Sequence, residues 1–499
     1  MKKIFVSLLA IFIVWIGQAQ TFKFHNEDVE MTIDNRGYVT SLKVCKQELL
    51  REQQPLVLTI NNDEIVTPFL AHDADGMLAI KMQDGGAVFF NIESTRKGLT
   101  IAVVKCSDAY STLLLCPFVV NLSEEIGELS GYVKGGKVAF GMQALNAKTC
   151  AGTPAGQTQS IRRHFHYSGE EATQSAAIPV ANGTRFQFYC CKRNDTLQHP
   201  WQVATHFPYY LPDEDHDAWI TGAKLRLWGC TRNDLDTYCS KAPEASSCFI
   251  VSLNGQDFDT LLDECAASHA QQLIIDNLFA GSGTYQWNTD LIPSDSVWRS
   301  LQAKAADKGI ALGAQVSVGK VATNDPLLTP TPSDHILKEE LTYPAERLDD
   351  KQQAFCVEDG QAFKASTRWS LLQLGDELMT FNSIEEDEDN TYLNGATRGA
   401  FGSKAQSHDL TTPIYQLWVE ADSTLRADLL GQDAMAISLA QRCNEAGLQC
   451  LILKETENLQ ITGHSTYAVS RFIETLYSHL KKETIVITDQ PMHYRPEYK

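Results

Sequence analysis

Short runs that alternate apolar and polar residues fill the first half of the chain. Between Thr21 and about Ala242 they include VEMTI, YVTSLKV, AVFFNI and LTIAVV. The sequences Asn35-Arg36-Gly37 and Asp84-Gly85-Gly86 separate such runs and are typical of hairpin turns. Because a period of two places alternate side chains on one face of a strand, the pattern predicts a large β-sandwich over residues 20–245.

The rhythm changes after this region. SCFIVSL, QLIID and IALGAQVSV are almost uniformly apolar, and two segments with helical periodicity separate them. The first, DFDTLLDECAASHA, has apolar residues at the spacing of one buried helical face, and the second, VWRSLQAKAADKG, ends at Gly309 as its C-cap. Apolar strands that alternate with amphipathic helices form parallel sheets covered by helices. Residues 246–321 are therefore predicted to be the first βα units of a TIM-type barrel.

Residues 322–411 interrupt this pattern. They contain the Pro-rich stretch LLTPTPSDH and the strand-like runs QAFCVE and SLLQLGDELMTF, without a clear amphipathic helix. We predict a small β-rich insertion here. The βα pattern resumes over residues 412–499 with PIYQLWV, AMAISLAQRCNEAG, CLILK, AVSRFIETLYSHLKK and TIVITD. About five βα units fit, whereas a complete barrel needs roughly 250 residues in eight units, so we expect a partial barrel.

The N-terminus has the features of a secretory signal. Lys2 and Lys3 precede an apolar run from Ile4 to Ile16, and Ala19 stands at an A-x-A-like position. This pattern predicts a signal peptide over residues 1–19 and export to the periplasm or the outside of the cell. A membrane-spanning helix needs about 20 apolar residues, and no later segment has that length.

Charge and cysteine content narrow the classes of ligand. The formal net charge is −20, which disfavours nucleic acid and anionic membranes and favours a neutral ligand. The 13 cysteines are scattered, apart from the adjacent pair Cys190 and Cys191, and none forms a C-x-x-C motif. We therefore expect no metal site and no cofactor, and mainly buried thiols with one or two disulfides at most.

Polar residues stand where the predicted parallel strands end, which is where such folds place their functional groups. They are Asn254, Asp276, Asn277, Gln315, Lys454, Glu455 and Glu457. One interpretation is a ligand site, since buried carboxylates and amides need a partner; the alternative is a set of strand caps and salt bridges.

The loop after Asp276 adds the aromatic residues Phe279, Tyr285 and Trp287. Flat rings stack on the apolar faces of sugars, while carboxylates and amides bind hydroxyl groups, so this combination favours carbohydrate. The alternative is that these rings only pack over the rim of the sheet.

The segment LIIDNLFAGSGTYQWNTDLIPSDSVWRSLQAKAADKGIALGAQVSV resembles the second and third βα units of the glycoside hydrolase clan that includes the α-galactosidases of families 27 and 36. Tyr285-Gln286-Trp287-Asn288 stands at the Trp element of that clan, Ile292-Pro293-Ser294 at its F-P-x-G, and residues 309–313 at its G-x-x-x-G. LLQLGDELMTF and LNGATRGAFGSKAQSH resemble an insertion of exported, α-galactosidase-like Bacteroidetes proteins. The resemblance covers residues 246–490 and extends to the preceding β-sandwich of family 36.

The resemblance implies a carbohydrate ligand and a set of residues that bind it. Trp287 would stack on a sugar ring, and the residues that would bind its polar groups are Asp276, Asn277, Asn288, Gln315 and Lys454.

The clan has its nucleophile in a K-x-D element at the end of the fourth strand, where this chain has Lys454-Glu455-Thr456-Glu457. Lys454 matches, but Thr456 stands at the nucleophile position. Glu457, after the end of the strand, is our candidate nucleophile; Glu455 is the second choice, because a shift of one residue turns a strand side chain to the opposite face. Asp489, at the end of TIVITD, is the only late candidate for the partner acid.

Two functions follow from these features. The first is an exported glycoside hydrolase that acts on α-linked oligo- or polysaccharide, which requires two suitably spaced carboxyl groups. The alternative is a non-catalytic descendant that binds glycan or has a structural role, because the nucleophile motif is altered and the barrel is partial.

Overall fold

The structure is a computed structural model that describes residues 20–489 with internal gaps. The gaps are residues 62–63, 111–112, 123, 128–131, 152–160, 163–174, 177–183, 186–187, 191–220, 242–247, 255–256, 359–370, 388–389, 463–464 and 482–483. The predicted signal peptide, residues 1–19, lies outside the described residues, and so does the predicted domain boundary between residues 245 and 246.

The N-terminal half consists of short antiparallel strands followed by one helix, α1 (Arg232–Lys241). The strands are β1 Phe22–His25, β2 Val29–Ile33, β3 Tyr38–Val44, β4 Gln47–Glu48, β5 Gln54–Pro55, β6 Val57–Asn61, β7 Glu64–Val66, β8 Pro68–Ala74, β9 Met77–Met82, β10 Ala87–Thr95, β11 Gly98–Cys106, β12 Leu113–Leu115, β13 Val119–Val120, β14 Glu125–Gly127, β15 Tyr132–Gly135, β16 Val138–Ala144, β17 Thr149–Ala151, β18 Ile161–Arg162, β19 Ser175–Ala176, β20 Thr184–Arg185, β21 Phe188–Cys190 and β22 Lys224–Thr231.

These strands form an antiparallel β architecture around one apolar core, as the alternating pattern predicts. The largest sheet has the order β14-β15-β16-β22-β11-β10-β9-β8, and two five-stranded sheets contain β1 to β5 and β17-β21-β12-β6-β7. Alternate residues of the longer strands point into the core, for example Val88 and Phe90 on β10 and Leu225 and Leu227 on β22.

The described residues of the C-terminal half contain four more helices and twelve strands. The helices are α2 Phe258–Ala267, α3 Asp295–Asp307, α4 Leu429–Ala446 and α5 Ser465–His479, and two 3₁₀ helices span Ala400–Gly402 and Thr456–Thr462. The strands are β23 Cys248–Val251, β24 Gln272–Ile275, β25 Ala311–Ser317, β26 Lys338–Thr342, β27 Ala354–Val357, β28 Leu371–Leu374, β29 Glu377–Thr380, β30 Ser383–Glu386, β31 Thr391–Asn394, β32 Ile414–Leu417, β33 Cys450–Lys454 and β34 Ile485–Thr488. In the described parts of the chain, no helix is both long and apolar enough to cross a membrane.

Five of these strands form a parallel sheet in the order β23-β24-β25-β33-β34, which is also their order along the chain. Helices α2 to α5 share one core with alternate residues of the strands, namely Leu273, Ile275, Leu312, Ala314, Val316, Leu451 and Leu453. All four helices therefore cover the same face of the sheet. Sequential strand order with helices on one face is the arrangement of a TIM-type barrel and differs from a doubly wound sheet. The five described strands form an open sheet with this order and helix coverage.

The β insertion lies between the third parallel strand, β25, and helix α4. It contains a four-stranded sheet, β26-β32-β28-β29, and a three-stranded sheet, β27-β31-β30, both antiparallel. One prediction is wrong here: PIYQLWV, expected as the first strand after the insertion, forms β32 and pairs with β26 and β28 inside it. An apolar strand of four residues has the same local pattern in either sheet, so only its pairing distinguishes them.

Candidate functional site

The candidate site is the edge at which the five parallel strands end, on the face that points away from the helices; we call it the carboxyl edge. Side chains of even-numbered residues on β24 and odd-numbered residues on β25 point to this face, because the intervening residues belong to the helix-covered core. Register pairs Ile275 with Ala314, so Asp276 follows beside Gln315. Ser317 pairs with Lys454.

Asp489 continues the same row on the last strand. Leu453 pairs with Thr488, so Asp489 lies beside Lys454, and its backbone N–H donates to the carbonyl of Leu453. Asp276 and Asp489 stand three strand spacings apart, about 14 Å along the sheet at roughly 4.8 Å for each spacing. A glycosidase needs carboxyl groups about 5–9.5 Å apart, which is shorter than the spacing of these two strand positions along the sheet.

Asp276 and Asn277 hold the loop after the first strand in place. The hydroxyl of Ser252 donates to Asp276 Oδ1 at 2.6 Å. Asn277 makes two hydrogen bonds to the backbone of Leu253, accepting from its N–H at 2.9 Å and donating to its carbonyl at 3.1 Å. Asp276 is exposed, whereas the amide of Asn277 is engaged in the loop.

Trp287 lies in an aromatic cluster on the helical side of the sheet. Its ring centroid is 5.6 Å from that of Phe279 and 5.5 Å from that of Trp298, which is buried on α3. Asn288 donates to the carbonyl of Asn277 and closes the same loop. Trp287 therefore packs the loop against α3. Stacking of Trp287 on a sugar stays a prediction. Only the exposed part of its ring is accessible to a ligand.

The chain turns sharply after Lys454. Glu455 has a left-handed backbone with φ of 60°, and Thr456 begins the 3₁₀ helix. Thr456, at the position of the clan's nucleophile, is fully buried, and its hydroxyl donates to Asp489 Oδ1 at 2.5 Å. The backbone N–H of Glu455 donates to Asp489 Oδ2. The carboxylate of Asp489 thus stabilises this turn. Lys454 and Glu457, on either side of the turn, are exposed.

This turn changes the position of Glu455, which strand alternation had ranked below Glu457 as a candidate nucleophile. Strand alternation no longer applies at a left-handed residue, and the Glu455 carboxylate lies 3.2 Å from the ammonium group of Lys320. Lys320 follows β25 and is only 17% exposed; its Nζ is also 2.9 Å from Asp422 Oδ2. The two carboxylate oxygens are therefore at most about 6.1 Å apart, the sum of 2.9 and 3.2 Å.

Asp422 is held in its charged form. Hydrogen bonds from Thr424 and then from Lys320 lower the pKa of Asp422 to about 2. Burial opposes the charge of Lys320, but its bonds to Asp422 and Glu455 raise its pKa above the ordinary value. Asp422 and Glu455 are thus bridged by a cation, and Asp422 is no proton donor at neutral pH.

Asp422 comes from the return segment of the insertion, which crosses over the carboxyl edge. Val321 and Leu425 exchange two backbone hydrogen bonds, and Arg426 donates to the carbonyl of Gly319. Arg426 also pairs with Glu420 at 3.0 Å. The insertion is therefore an enlarged loop of the third βα unit, and such loops carry the functional groups of TIM-type folds.

Lys320, Asp422 and Ser252 are functional candidates that the sequence reasoning missed. A signal existed for Lys320, which directly follows the third strand in VSVGK. None existed for Asp422, because it lies 102 residues downstream of its partner. Within the described ranges, no group of three or more His, Cys, Asp or Glu residues has the geometry of a metal site.

No protein-family model and no curated protein matches the sequence. Similar solved structures include a family 31 sulfoquinovosidase from E. rectale, with 8% identity, a TM-score of 0.34 and coverage of 94% of this chain and 66% of that one. The α-N-acetylgalactosaminidase NagBb from Bifidobacterium bifidum gives 7% identity, a TM-score of 0.37 and coverage of 95% and 78%. A family 36 α-galactosidase from Geobacillus stearothermophilus has 7% identity and a TM-score of 0.38, with coverage of 94% of this chain and 72% of that one. At these values the likeness does not establish a common fold.

Proposed function

We propose that the protein is an exported carbohydrate-active protein that binds an α-linked, neutral oligo- or polysaccharide at the carboxyl edge. The observation that carries the proposal is the convergence of polar side chains on one face at the ends of the parallel strands: Asp276, Gln315, Ser317, Lys454 and Asp489. Carboxylates, an amide, a hydroxyl and an ammonium group together offer donors and acceptors for sugar hydroxyls.

Charge supports a neutral ligand. Five carboxylates surround the edge, whereas it has two ammonium groups, of which Lys320 is already paired with Asp422 and Glu455. The carboxylates are Asp276, Asp422, Glu455, Glu457 and Asp489. With a net charge of −20 on the whole chain, a uronic acid or a sulfated sugar is repelled.

Hydrolysis is the second candidate function, and a specific observation favours it. Asp422 and Glu455 bring carboxylate oxygens within about 6.1 Å, close to the separation of roughly 5–5.5 Å in retaining glycosidases. Two features oppose it: Lys320 holds both groups, and a retaining enzyme needs one protonated carboxyl group. The exposed Glu457 stays a predicted nucleophile.

One experiment tests both functions. The mature chain is titrated calorimetrically with α- and β-linked oligosaccharides, and turnover is followed by release of nitrophenol from aryl α-glycosides. We expect binding of an α-linked sugar that Asp276→Asn weakens at least tenfold; the matched control is Asp295→Asn, an exposed aspartate on α3. Turnover that Asp422→Asn or Glu455→Gln abolishes supports hydrolysis, and binding without turnover assigns the chain to the non-catalytic class. No binding of any sugar contradicts the proposal.

A further inference from the structure

Three residues form a row across the eight-stranded sheet of the N-terminal half. Tyr132 on β15 is directly opposite Gly141 on β16, and Gly141 is directly opposite Trp228 on β22. The residues next to them along the strands lie in the core: Val133, Phe140 and Leu227. Because side chains alternate between the two faces of a strand, the row lies on the face opposite the core.

Gly141, in the middle of the row, leaves space for the indole ring of Trp228 over the strand. A Cβ atom on Gly141 would be 2.4 Å from Cε2 and Cζ2 of Trp228 and 2.6 Å from its Nε1. The indole of Trp228 therefore occupies the space directly over the glycine, which any side chain at position 141 would fill.

Tyr132 leans towards the same place. Its ring centroid is 6.4 Å from that of Trp228, and the ring planes are inclined at 52°. The two residues stand two strand spacings apart, about 9.6 Å, so the rings approach one another above the glycine. Together they form a shallow, half-buried aromatic surface.

Charged groups border this surface on one side. The hydroxyl of Tyr132 donates to Glu125 Oε1 at 2.9 Å, and Lys134 lies 3.3 Å from Glu125 and 2.8 Å from Asp236. The side chains of Glu125 and Asp236 are 49% and 53% exposed. Both therefore present carboxylate oxygens to solvent beside the rings.

We propose that Tyr132, Gly141 and Trp228 form a glycan-binding platform, a second carbohydrate site separate from the carboxyl edge, which takes neutral hexose units of a polysaccharide. Aromatic faces stack on the apolar faces of sugar rings, and the bordering carboxylates accept hydrogen bonds from hydroxyl groups. These carboxylates repel anionic sugars. Two rings are also far smaller than the roughly 800 Å² that a stable protein interface buries on each partner, which favours a sugar over a protein.

Affinity electrophoresis of the full mature chain tests the platform. Native gels contain galactomannan or dextran as neutral polysaccharides, or polygalacturonate as the anionic one. We expect a neutral polysaccharide to retard the chain, and both Trp228→Ala and Tyr132→Ala to weaken this interaction at least tenfold. The matched control is Phe69→Ala, which removes a 63% exposed aromatic residue from β8 of the same sheet. Because the carboxyl edge also binds neutral α-linked sugars, the comparison is repeated in the Asp276→Asn background; Trp228→Ala still weakens the remaining retardation there, which separates the two sites.

A second measurement needs no variant. Hydroxyl-radical footprinting of the wild-type chain, read by peptide mass spectrometry, is expected to show protection of Trp228 by the polysaccharide that retards the chain. Gly141→Ala keeps both rings but pushes the indole away from the strand, so it also weakens binding. Retardation that is unchanged in Trp228→Ala, the absence of retardation by any neutral polysaccharide, or stronger retardation by polygalacturonate would each overturn the platform.

Discussion

Replacing Glu377 by Gln removes the charge at the centre of the insertion. Glu377 is fully buried, and five donors reach its carboxylate. Oε1 accepts from Arg398 Nε at 2.8 Å and from the N–H of Gly399 at 3.0 Å. Oε2 accepts from Arg398 Nη2 and His408 Nε2, both at 2.8 Å, and from the N–H of Gln406 at 3.1 Å. A glutamine keeps one acceptor and turns an NH₂ group towards at least two of these donors.

The pKa of Glu377 gives the size of the effect. Burial alone would raise this pKa, but hydrogen bonds from His408 and Arg398 outweigh it and lower the value from 4.5 to about 2. Such a shift corresponds to about 3 kcal/mol of stabilisation. Since the folded pKa is the lower one, this contribution is complete above about pH 4.5 and is lost as the pH falls towards 2. This stabilisation of about 3 kcal/mol agrees with the cost of breaking a buried ion pair, which is about 3–5 kcal/mol.

Native-state hydrogen exchange, read by mass spectrometry, measures the loss of stability in each segment separately. This is needed because the chain has several hydrophobic cores. At pH 7 we expect Glu377→Gln to speed exchange in the loop between β31 and β32 about a hundredfold, while the parallel sheet is unaffected. The control is Glu385→Gln, an exposed glutamate on β30 of the same insertion. Equal exchange in the two variants would refute the argument, and so would an acid-dependent loss of protection below pH 4.5 that persists in Glu377→Gln.

Two further substitutions test the packing around the carboxyl edge. Gly319→Ala introduces a side chain at φ of 74°, with its Cβ only 2.8 Å from the backbone carbonyl carbon of Asn458; we expect about 1–3 kcal/mol of destabilisation and weaker sugar binding, by thermal unfolding and calorimetry. Asp433→Asn weakens the bidentate contact with Arg471 that joins α4 and α5, where Arg471 Nη2 lies 2.7 Å from Asp433 Oδ2. We expect about 2 kcal/mol lower stability in denaturant unfolding, against no change for the exposed Asp295→Asn.

The sequence was sufficient for elements whose pattern is local. The apolar runs LIID and LGAQVS predict buried parallel strands, and the helix from Phe258 is identified by its spacing of apolar residues. The strand partners of β32 could not be predicted from a local pattern, because four apolar residues fit a parallel or an antiparallel sheet equally well.

The site was only partly predictable for the same reason. Asp276, Gln315 and Lys454 stand at strand ends, and position alone identifies them. The contact between Lys320 and Asp422 spans the whole insertion, and no local pattern encodes it. Glu455 adopts a left-handed backbone without being glycine, so the strand alternation that ranked it below Glu457 does not apply at this residue.

The central claim is that an α-linked, neutral glycan binds at the carboxyl edge, and hydrogen exchange with and without a saturating α-linked oligosaccharide tests it most directly. We predict slower exchange in the segments that follow β25 and β33, residues 318–322 and 455–462, and no change in peptides of α3 on the helical face. Protection confined to the N-terminal sheets, or protection of no segment by any sugar that binds, would contradict the claim.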